Sequence, residues 1–385
     1  MHRYHSLGTI PQKRHTIHPK PEGGIYYEEL KGNKGFSGPS SLLYHIHRPT
    51  SVKHTRLLRE LSKEKDPNKT LRMRHLRTQK LPRGGCPFLD RHLLMFNQDV
   101  ALSLVYPDKN EEIFYRNAQA DEVVYVSKGR GQLESIFGTQ PYREGDYIVI
   151  PRGILHRYKM DDTEQCFFVT EASGEVSTPR RYRNEYGQLI ERSPYSERDF
   201  GIPQELITVD KKEDTPLLVK HHDCITEVTI DHHPFDVVGW DGHYFPYTFN
   251  ILDFEAIVGR THEPPTVHQT FQMHNAVICS FVPRPYDFDE EAIPSPYHHA
   301  NVMSDEVIYY AKENFMSRKG VEFGSVTLHP DGMVHGPHPG KTEESIGKKW
   351  TDELAVMVDT FYPLHIAKNA LSIEDDVYEQ SWLES

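Results

Sequence analysis

Residues 297–310 read Tyr297-His298-His299-Ala300-Asn301, then Val302-Met303-Ser304, then Asp305-Glu306-Val307-Ile308-Tyr309-Tyr310. The stretch closes with His335-Gly336-Pro337-His338-Pro339-Gly340. Two histidines and a carboxylate therefore fall on short alternating segments punctuated by Gly and Pro, the pattern of strands in an antiparallel barrel. Histidines and a carboxylate at such spacing are metal-ligand types, so His299, Glu306 and His335 are candidate ligands.

An upstream stretch repeats this one in degraded form. Tyr115-Arg116-Asn117 precedes Asp121-Glu122-Val123-Val124-Tyr125, as His299-Ala300-Asn301 precedes Asp305-Glu306-Val307-Ile308-Tyr309. Tyr115 to Glu122 and His299 to Glu306 are both intervals of seven. His156 follows Glu122 by 34 residues and His335 follows Glu306 by 29. A duplicated β-barrel follows, with ligand positions on equivalent strands. Tyr115 replaces the leading histidine in the first half, so three ligands are complete only in the second. Adjacent strand residues face opposite sides, so only one of His298 and His299 can face the barrel interior. The register favours His299, with His298 the alternative. Two histidines and one carboxylate on one side of an ion make the set of a mononuclear iron(II) site, with positions left for substrate and oxygen.

The strand rhythm extends outward. Leu102-Ser103-Leu104-Val105-Tyr106, Glu122 to Val126 and Gly145 to Pro151 are short strands between Gly and Pro turns, which indicates an all-β sandwich or barrel. Residues 171–220 are polar and read as a connection. The rhythm resumes at Phe235-Asp236-Val237-Val238-Gly239-Trp240 and runs to Leu354-Ala355-Val356-Met357-Val358-Asp359. Expected units are an arm with a basic loop over 1–86, a degenerate first barrel plus linker over 87–220, and a second barrel carrying the metal over 221–385. The basic stretch 51–83, without interleaved aromatics, reads as a solvated loop or an arm touching a neighbouring subunit.

Composition narrows the partners. The chain has 385 residues and a net charge of −12, which argues against a nucleic-acid partner. Its four cysteines are far apart with no C-x-x-C pair, so no thiolate metal site is expected and a reducing cytoplasm fits. No apolar run is long enough for a bilayer, and Met1-His2-Arg3-Tyr4-His5 lacks a signal-peptide core. Histidine is abundant at 24 residues, most of which are expected on the surface or in ordinary hydrogen bonds. In Thr261-His262-Glu263-Pro264-Pro265, two prolines stiffen a loop that can present His262 as an acid/base group. His338 is a candidate for supporting the ligands or binding substrate.

Several of these motifs together resemble the homogentisate 1,2-dioxygenase family, most closely its shorter bacterial members. They are Tyr27-Glu28-Glu29-Leu30 with Leu43-Tyr44-His45-Ile46, Val238-Gly239-Trp240-Asp241-Gly242 with Pro246-Tyr247, the Tyr297 to Glu306 segment, His335-Gly336-Pro337, and Tyr378-Glu379-Gln380-Ser381-Trp382. The resemblance implies a double cupin. It implies Fe(2+) on His299, Glu306 and His335, an acid/base role for His262 and a substrate-pocket role for Tyr297. It further implies O2 insertion into homogentisate to give 4-maleylacetoacetate in tyrosine and phenylalanine breakdown, and a trimer or hexamer of identical chains. Departures are a His-to-Glu spacing one residue longer than in the long forms, a position near Phe315 that carries a tyrosine in those forms, and a shorter chain. These leave open a cupin dioxygenase for another hydroquinone or catechol acid. Two rivals of different class are a zinc sugar-phosphate isomerase and a bicupin that binds a small molecule without turning it over.

Overall fold

The computed structural model describes residues 4–110, 112–161, 164–263 and 265–383. Met1, His2, Arg3 and Pro264, which figured in the readings above, lie outside them. The expected all-β fold of two barrels with an N-terminal arm is present: strands dominate, and among the described residues the one α-helix is the short Lys341–Ser345. Among the described residues no helix is long and apolar enough to cross a membrane, and no two cysteines form a disulfide.

An eight-stranded sheet stands at the centre. Its main strands are Asp146–Ile150, Asp121–Lys128, Cys166–Ala172 and Val100–Val105, hydrogen-bonded in that order. Side chains alternate across it, as a pleated strand requires. Val124, Val126, Ile148 and Phe167 face the first barrel, where they pack with Leu133, Phe137 and Trp240 of neighbouring sheets. Val123, Tyr125, Tyr147 and Phe168 face the other way and join Val307, Tyr309, Val326 and Val358 of the second barrel. Each fully buried aliphatic or aromatic side chain contributes about 1.5–3 kcal/mol, so two-sided burial explains the near-continuous apolar reading of these strands. Gly129, at φ +97°, carries the chain from this sheet to the facing seven-stranded one; a Cβ there would lie 2.4 Å from the Gln165 side chain.

The second barrel is built on six strands in the order Gln269–Met273, Ala276–Phe281, Ala355–Thr360, Asp305–Tyr310, Ser325–His329, Arg74–Arg77. On Asp305–Tyr310 the alternation sends Val307 and Tyr309 into the inter-barrel core and Ile308 and Tyr310 into a separate cluster with Cys279, Phe315 and Met357. Glu306 shares the side of Ile308 and Tyr310, inside the second barrel.

The sheets do not divide at residue 220. Thr215–His221 and Cys224–Ile230 belong to the seven-stranded sheet, Tyr247–Asn250 to the eight-stranded sheet, and Val237–Gly242 pairs with arm strands His5–Gly8 and Ser40–His45. Strands of the second barrel begin at Gln269 apart from Arg74–Arg77, which the arm lends it. The stretch expected as a basic loop contains two strands, Val52–Glu60, which forms an exposed edge, and Arg74–Arg77. Its charges are used within the chain: Arg74 bonds Asp66 at 2.7 Å and Glu374 at 3.1 Å, and Arg77 bonds Asp375 at 2.7 Å.

Candidate metal centre

Among the described residues, one group of three ligand-type side chains converges: His299, Glu306 and His335, with ligand atoms all within 4.8 Å of one another. Glu306 is placed by its strand. His299 and His335 are joined by an isolated antiparallel bridge whose two N–H···O bonds are each 2.8 Å. Gly336 permits the close approach, since a Cβ there would lie 2.8 Å from the Cα of His298. His298 itself is exposed and outside the group.

Each candidate histidine directs Nδ1 at a backbone carbonyl, His299 at Tyr297 O at 3.1 Å and His335 at Met333 O at 3.3 Å. A carbonyl only accepts, so Nδ1 carries the hydrogen and the Nε2 lone pair is left for a cation. His299 Nε2 stands 3.7 Å from Glu306 Oε2, and His335 Nε2 stands 3.6 Å from Oε1. His335 Nε2 is buried with no hydrogen-bond partner. Two imidazole lone pairs and a carboxylate directed at one point, one of them otherwise unused, fit a divalent cation.

The electrostatics agree. Burial alone would raise the Glu306 carboxyl, but the surrounding imidazoles of His299, His329 and His335 outweigh it and hold it well below the usual range. The nearby Glu306 carboxylate raises His299. Asp359, across the strand pair from Glu306, is pushed well above the ordinary carboxylate range by burial and then by Glu306.

A cavity of about 360 Å³ opens beside this group. His262, Tyr297, Arg284, Arg318, Phe281, Phe315 and Met357 are among its walls. The His262 ring meets the Tyr297 ring edge to face at 4.8 Å, and its Nδ1 lies 3.8 Å from Asp287 Oδ2. Arg284 is paired with Glu353 at 2.7 Å, and Arg318 Nη1 donates to Gly336 O at 2.8 Å. His338 is not among the cavity walls. It lies behind the loop, stacked on Trp382 at 4.0 Å and bonded to Ser381 Oγ at 2.7 Å, because the Pro337 turn directs it to the C-terminal segment. Burial and then Arg318 push it down to about 4.

Two buried side chains at the centre escaped the sequence reading. Arg318 Nη2 approaches Glu306 Oε1 at 3.9 Å. His329 Nδ1 bonds the same oxygen at 2.8 Å. Burial, then Arg318, holds His329 down to about 3. The repeat carried a signal for it: His329 pairs across strands with Glu306, and the equivalent partner of Glu122 is the apolar Ile150.

The first barrel shows what occupies the equivalent place there. Tyr115 and His156 pair across strands there, as His299 and His335 do. Asn117 Nδ2 donates to Glu122 at 2.9 Å, and Asn301 Nδ2 faces Glu306 at 3.5 Å. Arg91 fills the remaining place, its guanidinium on both Glu122 oxygens at 2.9 and 2.8 Å and on Glu171 at 3.2 Å. Burial outweighs the attraction of Glu122, and His156 falls to about 4.

Comparison with known proteins adds the following. The family model described as homogentisate 1,2-dioxygenase N-terminal matches residues 95–251. A protein named "Putative dioxygenase" from Saccharolobus solfataricus is 38% identical over 385 residues, 99% of each chain. Homogentisate 1,2-dioxygenase from Bradyrhizobium diazoefficiens is 26% identical over 298 residues, 71% of this chain and 63% of that one. The enzyme of that name from Nitrobacter hamburgensis is 28% identical over 286 residues, 68% of this chain and 61% of that one. The matches thus span less than two thirds of these two enzymes. Among solved structures, a cupin 2 conserved barrel domain protein from Leptotrichia buccalis aligns at a TM-score of 0.35 with 10% identity over 76% of this chain and 98% of that one.

Proposed function

Because this chain belongs to the homogentisate 1,2-dioxygenase family, a family of oxidoreductases, we propose that it is an iron(II)-dependent ring-cleaving dioxygenase. The proposed reaction inserts both atoms of O2 into homogentisate and opens the ring to 4-maleylacetoacetate, a step of tyrosine and phenylalanine breakdown. One observation carries the reading: two Nε2 lone pairs and a buried carboxylate converge at the wall of a cavity of about 360 Å³. That volume suits one substituted aromatic ring.

His299, Glu306 and His335 would hold Fe(2+). Iron bound there would supply open coordination positions and a path for electrons from an aromatic ring to oxygen. The chain's side chains do the rest. His262, at the cavity wall beside Tyr297, takes the phenol proton and returns it later. Phe281, Phe315 and Met357 exclude water from the ring. Arg284 and Arg318 bring positive charge that suits an aromatic acid. Phe315 also favours a second reading, in which the substrate is another hydroquinone or catechol acid, because a phenylalanine side chain offers no hydroxyl at that position.

The test is oxygen consumption by anaerobically iron-loaded protein across homogentisate and a panel of hydroquinone and catechol acids. One O2 consumed per homogentisate supports the reading; uptake only with another acid moves it to the second. If no acid consumes oxygen, or if zinc-loaded protein is equally active, the dioxygenase assignment fails.

A further inference from the structure

We propose that His329 and Tyr378 are positioning residues for the metal centre, a relay through which the C-terminal turn Tyr378–Trp382 fixes the Glu306 carboxylate. The proposal rests on the reading that His299, Glu306 and His335 bind a divalent ion, and on nothing about the substrate.

The polarity of the relay follows from chemistry. His329 Nδ1 lies 2.8 Å from Glu306 Oε1, and an ionised carboxylate only accepts, so Nδ1 carries the hydrogen. Nε2 is then an acceptor, and Tyr378 Oη, 3.2 Å away, donates to it. Both residues are buried, at 0% and 4% exposure, so water cannot substitute for either bond. With Oε1 held by His329, Oε2 remains turned toward His299. The His329 ring also lies nearly parallel to that of His335, 4.9 Å away at 17°, and braces a second ligand.

The turn grips the same loop from behind. Trp382 Nε1 donates to Gly336 O at 3.0 Å, one residue past His335, and Ser381 Oγ meets His338 at 2.7 Å. A second observation is independent of these contacts. The matching position in the first barrel, where Arg91 replaces an ion, is Ile150. The buried histidine occurs only in the half where the ligand set is complete.

The experiment uses full-length apo-protein and Co(II) alone, titrated against a competing chelator, with the cobalt d–d spectrum recorded. Outer-shell partners of ligands are worth about 10–100-fold in metal affinity. Tyr378→Phe and His329→Leu are expected to weaken Co(II) binding by that factor and shift its spectrum, with wild-type circular dichroism. His329→Asn, whose amide N–H stands near the position of Nδ1–H, is expected to recover most of the affinity. If His329→Leu does not fold, Tyr378→Phe decides, because it removes one hydroxyl from a packed ring. Wild-type affinity and spectrum in Tyr378→Phe overturn the relay. A wild-type chain that binds no Co(II) overturns the metal reading itself, so the two failures are distinct.

Discussion

Replacing Arg91 by methionine tests the claim that a guanidinium stands in the first barrel where an ion stands in the second. Arg91 makes three charge-assisted contacts, two to Glu122 at 2.9 and 2.8 Å and one to Glu171 at 3.2 Å. Glu122 is 0% exposed, and against the cost of burial Arg91 brings its carboxyl down to about 2. Methionine keeps the aliphatic volume and removes the charge, leaving Glu122 with Asn117 and Tyr115 as neutral donors. Breaking one side of a buried ion pair costs about 3–5 kcal/mol. The sign with pH follows from the depressed value. In the wild type the pair's contribution is complete above the unfolded carboxyl value of about 4.3 and is lost as pH falls toward the folded one. The deficit of Arg91→Met is therefore largest near neutrality and shrinks with acidification. Urea denaturation at pH 7.5 and pH 3.5, followed by the fluorescence of Trp240 in the first-barrel core, measures it. Adding Glu122→Gln to the variant is expected to recover part of the loss, because no buried charge is then left unpaired. Folded Arg91→Met is expected to keep wild-type oxygen uptake, since Arg91 does not line the metal-side cavity. A deficit below about 1 kcal/mol, within the range of an exposed pair, would refute the reasoning. So would two metal equivalents per wild-type chain.

Three further outcomes are expected. Glu306→Gln removes the anionic ligand while nearly keeping its shape, and its metal affinity should fall by more than the roughly 100-fold an outer-shell change can cost, as read by equilibrium dialysis. His262→Ala should retain metal and lose about 10²–10⁴-fold in kcat, the usual worth of general acid/base catalysis; wild-type turnover would remove the role. Burial opposes charge on His45, but bonds to Asp236 and Glu29 outweigh it and raise the imidazole to about 9. That stabilisation is complete below about 6.5, is lost as pH rises toward the folded value, and amounts to on the order of 3 kcal/mol. The stability gap between wild type and His45→Gln should therefore narrow between pH 6.5 and 9 in parallel thermal melts.

The strands and their duplication were legible because their signals are local. Alternation along Asp305–Tyr310 and the shared seven-residue interval before Glu122 and Glu306 need only neighbouring residues to be read. The same register singled out His299 over His298 and joined it with Glu306 and His335, the three that converge. Only the tertiary structure decided what surrounds them. Arg91 reaches Glu122 across 31 positions, and His329 meets Glu306 across 23 because two strands pair in one register. Thr215–His221 pairs in parallel with Phe114–Asn117, which precedes it by 98 positions in the chain. His338 looked like a site residue, and the turn after Gly336 sends it to Trp382 instead. Periodicity states which face of a strand is apolar, but any strand with a free edge can pair with another. The choice among partners belongs to the packing of the whole chain.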